Sequence, residues 1–185
     1  MTGQTMISAA FFVMLTVAVL SANRMVLESN KDYIQAQAIE QATNFANALI
    51  SEILTKKFDS QVDTLYYQDK SEFDSPSSMG PSSTARNYVN PGGAPDVASA
   101  TVSYKSIKGT TGDYFDDIDD YHGYERTANA TDISGYHLKV SVYYVSKSSP
   151  DAASSSRTYY KRIDVTVDHP LYLPRKLTFS VIATY

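Results

Sequence analysis

MISAAFFVMLTVAVL, Met6–Leu20, decides how this chain is read, because a charged helical pattern follows it directly and runs for another thirty-odd positions. No charged side chain occurs before Arg24, no proline before Pro76, and no glycine between Gly3 and Gly80. Nothing in the backbone therefore forces a break where the apolar stretch meets the charged one. A helix from Gln4 to about Phe58 would be roughly 80 Å long, at 1.5 Å per residue. A domain of the size left over cannot bury such a rod, so part of it must find other cover.

Three readings fit the apolar start. A hydrocarbon core of about 30 Å needs about 20 apolar residues, and Thr5 to Ala22 nearly supplies them, with Asn23 and Arg24 at the far interface. A cleaved secretory signal also fits, with Leu20-Ser21-Ala22 as the small-residue cleavage site, although residues 1–5 lack Lys and Arg and the helical pattern continues past the cut. A buried helix of a soluble domain is the third, against which stands the long absence of charge.

Beyond Arg24 the pattern turns amphipathic. Leu27, Ile34, Ala38, Ala42, Phe45, Leu49 and Ile53 recur at helical spacing, with Ile39, Ala46 and Ile50 widening the stripe. Lys56 and Lys57 stand where a helix C-terminus favours cations. Asp69 to Ser99 concentrates proline, glycine and serine and reads as a long surface excursion. Period-two strands follow over Thr101–Ile107, Gly135–Ser146, Arg157–Asp168 and Lys176–Tyr185, with SKSSPDAASSSR connecting the two longest through an exposed tip. One apolar and one polar face per strand is the pattern of an antiparallel sheet covered by a helix on one side. The expected fold is α+β: a long N-terminal helix, apolar over 1–23 and amphipathic over 24–58, a Ser/Pro/Gly-rich loop region over 59–99, and a four-stranded antiparallel sheet over 100–185.

Composition removes several functions. Net charge is −4 and no run of Lys or Arg occurs, which argues against nucleic acid as a partner. There is no cysteine, hence no disulfide, Cys-based zinc site or thiol nucleophile. Fifteen tyrosines and no tryptophan suit sheet faces that are half buried. DYFDDIDDYHGYE gathers Asp116, Asp117, Asp119 and Asp120, and clustered carboxylates suit calcium. Their spacing does not match the helix-loop-helix calcium loop, so a solvated turn-forming acidic loop is the expectation and Ca2+ its rival; no other cofactor is implied. A pairing of His122 with Asp119 or Asp120 beside a serine has no nucleophile elbow around it, and an enzyme is not expected.

An uncharged apolar helix start, an amphipathic continuation, a variable loop and a four-stranded sheet resemble the type IV pilin superfamily, including the pseudopilins of type II secretion. FDDIDDYHGY (Phe115–Tyr124) is similar to a segment of mannose-sensitive haemagglutinin-type pilins, and YYKRIDVTVDHP (Tyr159–Pro170) to closing strands of minor pilins and pseudopilins. The resemblance implies a structural subunit of an extracellular pilus-like filament, held in the inner membrane as the precursor of a bacterial surface fibre. Its partners would be copies of itself, related pilins and an inner-membrane assembly platform. Met6, Ile7, Ser8, Ala10, Phe11, Phe12, Met14, Leu15, Val17, Val19 and Leu20 would pack the filament core, and processing after Gly3 would leave Gln4 as the new terminus. Ser8 then stands where the family carries a glutamate, and cannot supply its charge. No proline interrupts the first helix, so it is expected to run unbroken through Ala18–Arg24. A minor pilin or pseudopilin, and a membrane-anchored adhesin that never polymerises, are the alternatives.

Overall fold

The computed structural model describes residues 2–60, 69–80, 101–102 and 117–185. One helix, α1 (Thr2–Leu54, 53 residues), precedes an antiparallel sheet of β1 (Thr101–Val102), β2 (Glu125–Asn129), β3 (Ser134–Ser146), β4 (Ser149–Ala153), β5 (Tyr160–Asp168) and β6 (Leu177–Thr184). The main strand order is β1-β2-β3-β5-β6, and β4 folds back on the end of β3. The α+β class, with a long helix over one antiparallel sheet, is as expected. Helix α1 is continuous through Ala18–Arg24, as the absence of proline and glycine requires.

Among the described residues of α1, the buried ones all lie in its second half. Ala38, Ala42, Phe45, Ala46, Leu49 and Ile53 are buried, and three alanines in that row let the helix lie close to the sheet. Leu27 and Ile34, assigned to the same stripe, are exposed: Leu171 and Tyr172 of the head line a groove with them without covering them. The helix also stops earlier than expected. Thr55 N and Lys56 N bond back three residues to Glu52 O and Ile53 O, and the Thr55 hydroxyl takes Glu52 O as well, tightening the last turn. Lys56 and Lys57 thus lie past the end, where Lys57 O accepts from Ile118 N and Phe58 turns into the core.

The sheet alternates as its sequence predicts. Tyr136, Leu138, Val140, Val142 and Tyr144 of β3 and Ile163, Val165 and Val167 of β5 are buried against the helix, in a register that pairs Val142 with Ile163 and Val140 with Val165. Two strands were not foreseen. β2 lies inside ERTAN, where charge masks the alternation, and β4 lies inside the expected hairpin connection, fully exposed as that tip should be. Of the strand expected over Thr101–Ile107, 101–102 form β1 and the rest lies outside the described residues. The surface excursion is in part a core element: Phe73 is buried, 5.3 Å from the rings of Phe58 and Tyr185 and 5.7 Å from Tyr159. Residues 81–99 lie outside the described set.

Two devices fix the sheet's lower end. Gly135 at φ +97° begins the β3 ladder next to a bulge, and Asn129 Oδ1 accepts its N–H at 2.9 Å. His169 Nδ1 accepts from Leu171 N and Tyr172 N, which leaves the ring proton on Nε2 to be donated to Ser134 O at 2.9 Å. The β5–β6 connection is thereby tied to the start of β3.

Candidate functional site

The first candidate is the uncovered half of α1. Every large apolar side chain described from Ile7 to Leu20 is exposed, from 50% at Leu15 to 75% at Met14, and the helix is long and apolar enough to cross a membrane. Ser8, Ala10, Phe11, Phe12, Val17 and Val19 stand on this stalk as well, and Gly3 and Gln4 lie exposed in its first turn. Met6 belongs to the helix, but its side chain lies outside the described residues. Two hydroxyls interrupt the apolar surface, and both are satisfied by their own helix: Ser8 Oγ donates to Gln4 O at 3.0 Å and Thr16 Oγ1 to Phe12 O at 2.8 Å. The stalk can therefore enter a dry environment without stranding those donors. Arg24 marks the change to water, paired at 3.0 Å with Glu28 one turn on.

The second candidate lies at the other end of the helix, where the acidic segment differs from expectation. Asp117, Asp119 and Asp120 are buried rather than solvated, and Asp116 lies outside the described residues. Asp120 N donates to Asp117 Oδ1 at 3.0 Å, so these carboxylates shape the 3-10 turn Asp119–Tyr121. Asp119 leaves that group and meets Lys161, whose Nζ lies 2.6 Å from Asp119 Oδ1, 2.6 Å from Phe58 O and 3.1 Å from Asp59 Oδ2. Asp59, Asp74 and Asp119 each bring a carboxylate oxygen within 4.8 Å of the others, and the cation among them is the Lys161 ammonium. The carboxylates thus gather around a lysine rather than with one another along DDIDD.

Electrostatics follows from this crowding. Burial, then the charges of Asp59 and Asp119, push the Asp74 carboxyl above its ordinary value, against the pull of Lys161. Tyr144 donates to Asp59 Oδ2 at 3.3 Å and to Asp74 O at 3.0 Å, and burial followed by the same carboxylates drives its phenol far upward. Further along the helix Tyr136 donates to Gln41 Oε1 at 2.8 Å, and burial raises its phenol to about 12. His122 faces the backbone of Val142, 2.7 Å from its carbonyl oxygen, and not a carboxylate of the acidic segment.

Reading the sequence missed Lys161, Asp59 and Asp74. For Lys161 the signal existed: it falls between Tyr159 and Ile163 on the core-facing parity of β5, so the alternation itself places an ammonium inside. The two aspartates carry no local signal. Compared with protein-family models, with curated proteins and with solved structures, the chain matches none of them.

Proposed function

We propose that this chain is a structural subunit of a type IV pilin-like extracellular filament, inserted in the membrane before assembly and polymerising through the exposed half of α1. One observation carries the reading: apolar side chains stay uncovered beyond what a bilayer would hide. A membrane accounts for about 20 residues of helix, yet Met25, Val26, Leu27 and Tyr33, past the charge of Arg24, are 74%, 59%, 69% and 70% exposed. An anchored monomer leaves these in water. A bundle of sister helices covers them together with Ile7–Leu20. Because lipid is as apolar as leucine, the gain on leaving it comes from close packing, for which Ser8, Ala9, Ala10, Ala18, Ser21 and Ala22 provide the recesses and Phe11, Phe12, Met14 and Leu15 the fill. The polar outer sheet face, with Tyr143 and Arg162 bonded to Asp164, would be repeated along the fibre.

Shearing cells that express the full chain and imaging the released material tests this. Threads composed mainly of this chain are the expected result and also distinguish a major from a minor subunit. Retention of the whole population in the membrane fraction, with no threads, would refute polymerisation and leave the anchored adhesin.

A further inference from the structure

We propose that Lys161 and Asp119 condense into an intramolecular isopeptide bond, a covalent modification site inside the head with Asp74 as its proton carrier. The bond is internal to one chain and stands independently of the filament reading. Its ground is geometric. The Lys161 side chain and that of Asp59 have no exposed surface and that of Asp119 has 2%, and Nζ and Asp119 Oδ1 are held 2.6 Å apart from elements 42 residues distant in sequence. Aromatic walls close the site, with the Phe58 ring centroid 4.6 Å and the Tyr144 ring centroid 5.3 Å from Nζ.

Asp59, Asp74 and Asp119 each bring a carboxylate oxygen within 4.8 Å of the others, with the Lys161 ammonium bonded to two of them. The step requires one proton to pass from the ammonium to the Asp119 carboxylate it touches, giving an amine beside a carboxylic acid. The amine lone pair then attacks the Asp119 carboxyl carbon. Asp74 gives a proton to the departing hydroxyl and recovers one from the nitrogen; the C–O bond breaks, the C–N bond forms and one water leaves, with no redox change. Fixed proximity supplies the driving force that dilute amine and acid lack, since well-oriented intramolecular pairs reach effective molarities of roughly 10⁵–10⁸ M. Asp59, which accepts from Tyr144 and from Asp74 N, remains the carboxylate of the site. Phe58 O, already 2.6 Å from Nζ, is in place to accept the N–H of the product amide. The bond would tie the 3-10 turn Asp119–Tyr121 to the middle of the sheet in a head that has no cysteine for a disulfide.

Peptide mapping of the purified full-length chain by mass spectrometry tests the assignment. The expected result is a branched peptide joining Lys161 to Asp119, lighter by one water than its two parts. In Asp119→Asn the same branch should form with loss of ammonia, and in Lys161→Arg both peptides should appear linear. Linear Lys161 and Asp119 peptides from the folded wild-type chain would overturn the proposal, as would loss of water mapped to Asp59 or elsewhere. The wild-type map decides the matter even if a variant fails to fold.

Discussion

Leu49→Ala and Leu20→Ala are the same chemical change on one helix, and the structure assigns them opposite outcomes. Leu49 has no exposed surface and sits in the row that meets the sheet, whereas Leu20 is 63% exposed on the stalk. Truncating Leu49 removes three buried carbons, about 2.4 kcal/mol at roughly 0.8 kcal/mol each. The space left behind adds to this, since the flanking Ala46, Phe45 and Ile53 are fixed on a continuous helix, and about 3 kcal/mol in all is expected. For a domain of this size that lowers the midpoint of melting by on the order of 10 °C. Leu20→Ala touches nothing in the head and should shift it by less than about 0.5 kcal/mol. Near-ultraviolet circular dichroism of the full chain in detergent reads the tyrosine-rich core directly, and assembly scored on the same variants supplies the second axis. Equal shifts for both variants, or a large one for Leu20→Ala, would refute the division of α1 into a packed half and a free half.

Ala10→Arg places a charge in the proposed filament core, and should abolish threads in sheared preparations while leaving the melting of the head unchanged. Lys161→Met removes the buried nitrogen that Asp59 and Asp119 share, whether as ammonium or as the proposed amide, and chemical denaturation should show a loss of about 3–5 kcal/mol. Asp74 has its carboxyl raised above the ordinary 3.8, so the folded state holds the proton more tightly than the unfolded chain. That contribution is fully present below 3.8 and is lost as pH rises through the raised value; Asp74→Asn should remove this downward slope, read as melting temperature across the mildly acidic range. Tyr136, raised to about 12, should remain protonated in an ultraviolet titration after exposed tyrosines have ionised, and Tyr136→Phe should cost about 1 kcal/mol through loss of the bond to Gln41.

The acidic segment shows where reading along the chain stops. Six acidic residues between Asp113 and Glu125 look solvated because isolated charges are costly to bury. Asp119 is nevertheless inside, because its partner is supplied by Lys161, 42 positions away. Charge at Arg126 hid β2 in the same manner: the strand has the regular in-and-out alternation, but of its two inward positions, Arg126 and Ala128, the first is a guanidinium where an apolar residue would have announced the strand. Phe73 gave no periodic signal at all, being a single aromatic in a polar segment that is held by Phe58, Tyr159 and Tyr185 from three separate parts of the chain.

Periodicity and backbone chemistry are properties of neighbouring residues, so the unbroken helix, its apolar-to-amphipathic change at Arg24 and the faces of β3, β5 and β6 were determined by the sequence alone. Tertiary structure decided how far the head covers the helix, that Leu27 and Ile34 stay exposed beside Leu171 and Tyr172, and that Asp59, Asp74 and Asp119 converge on Lys161. These depend on which distant segments come together, and a buried charge is tolerable only once its partner has arrived.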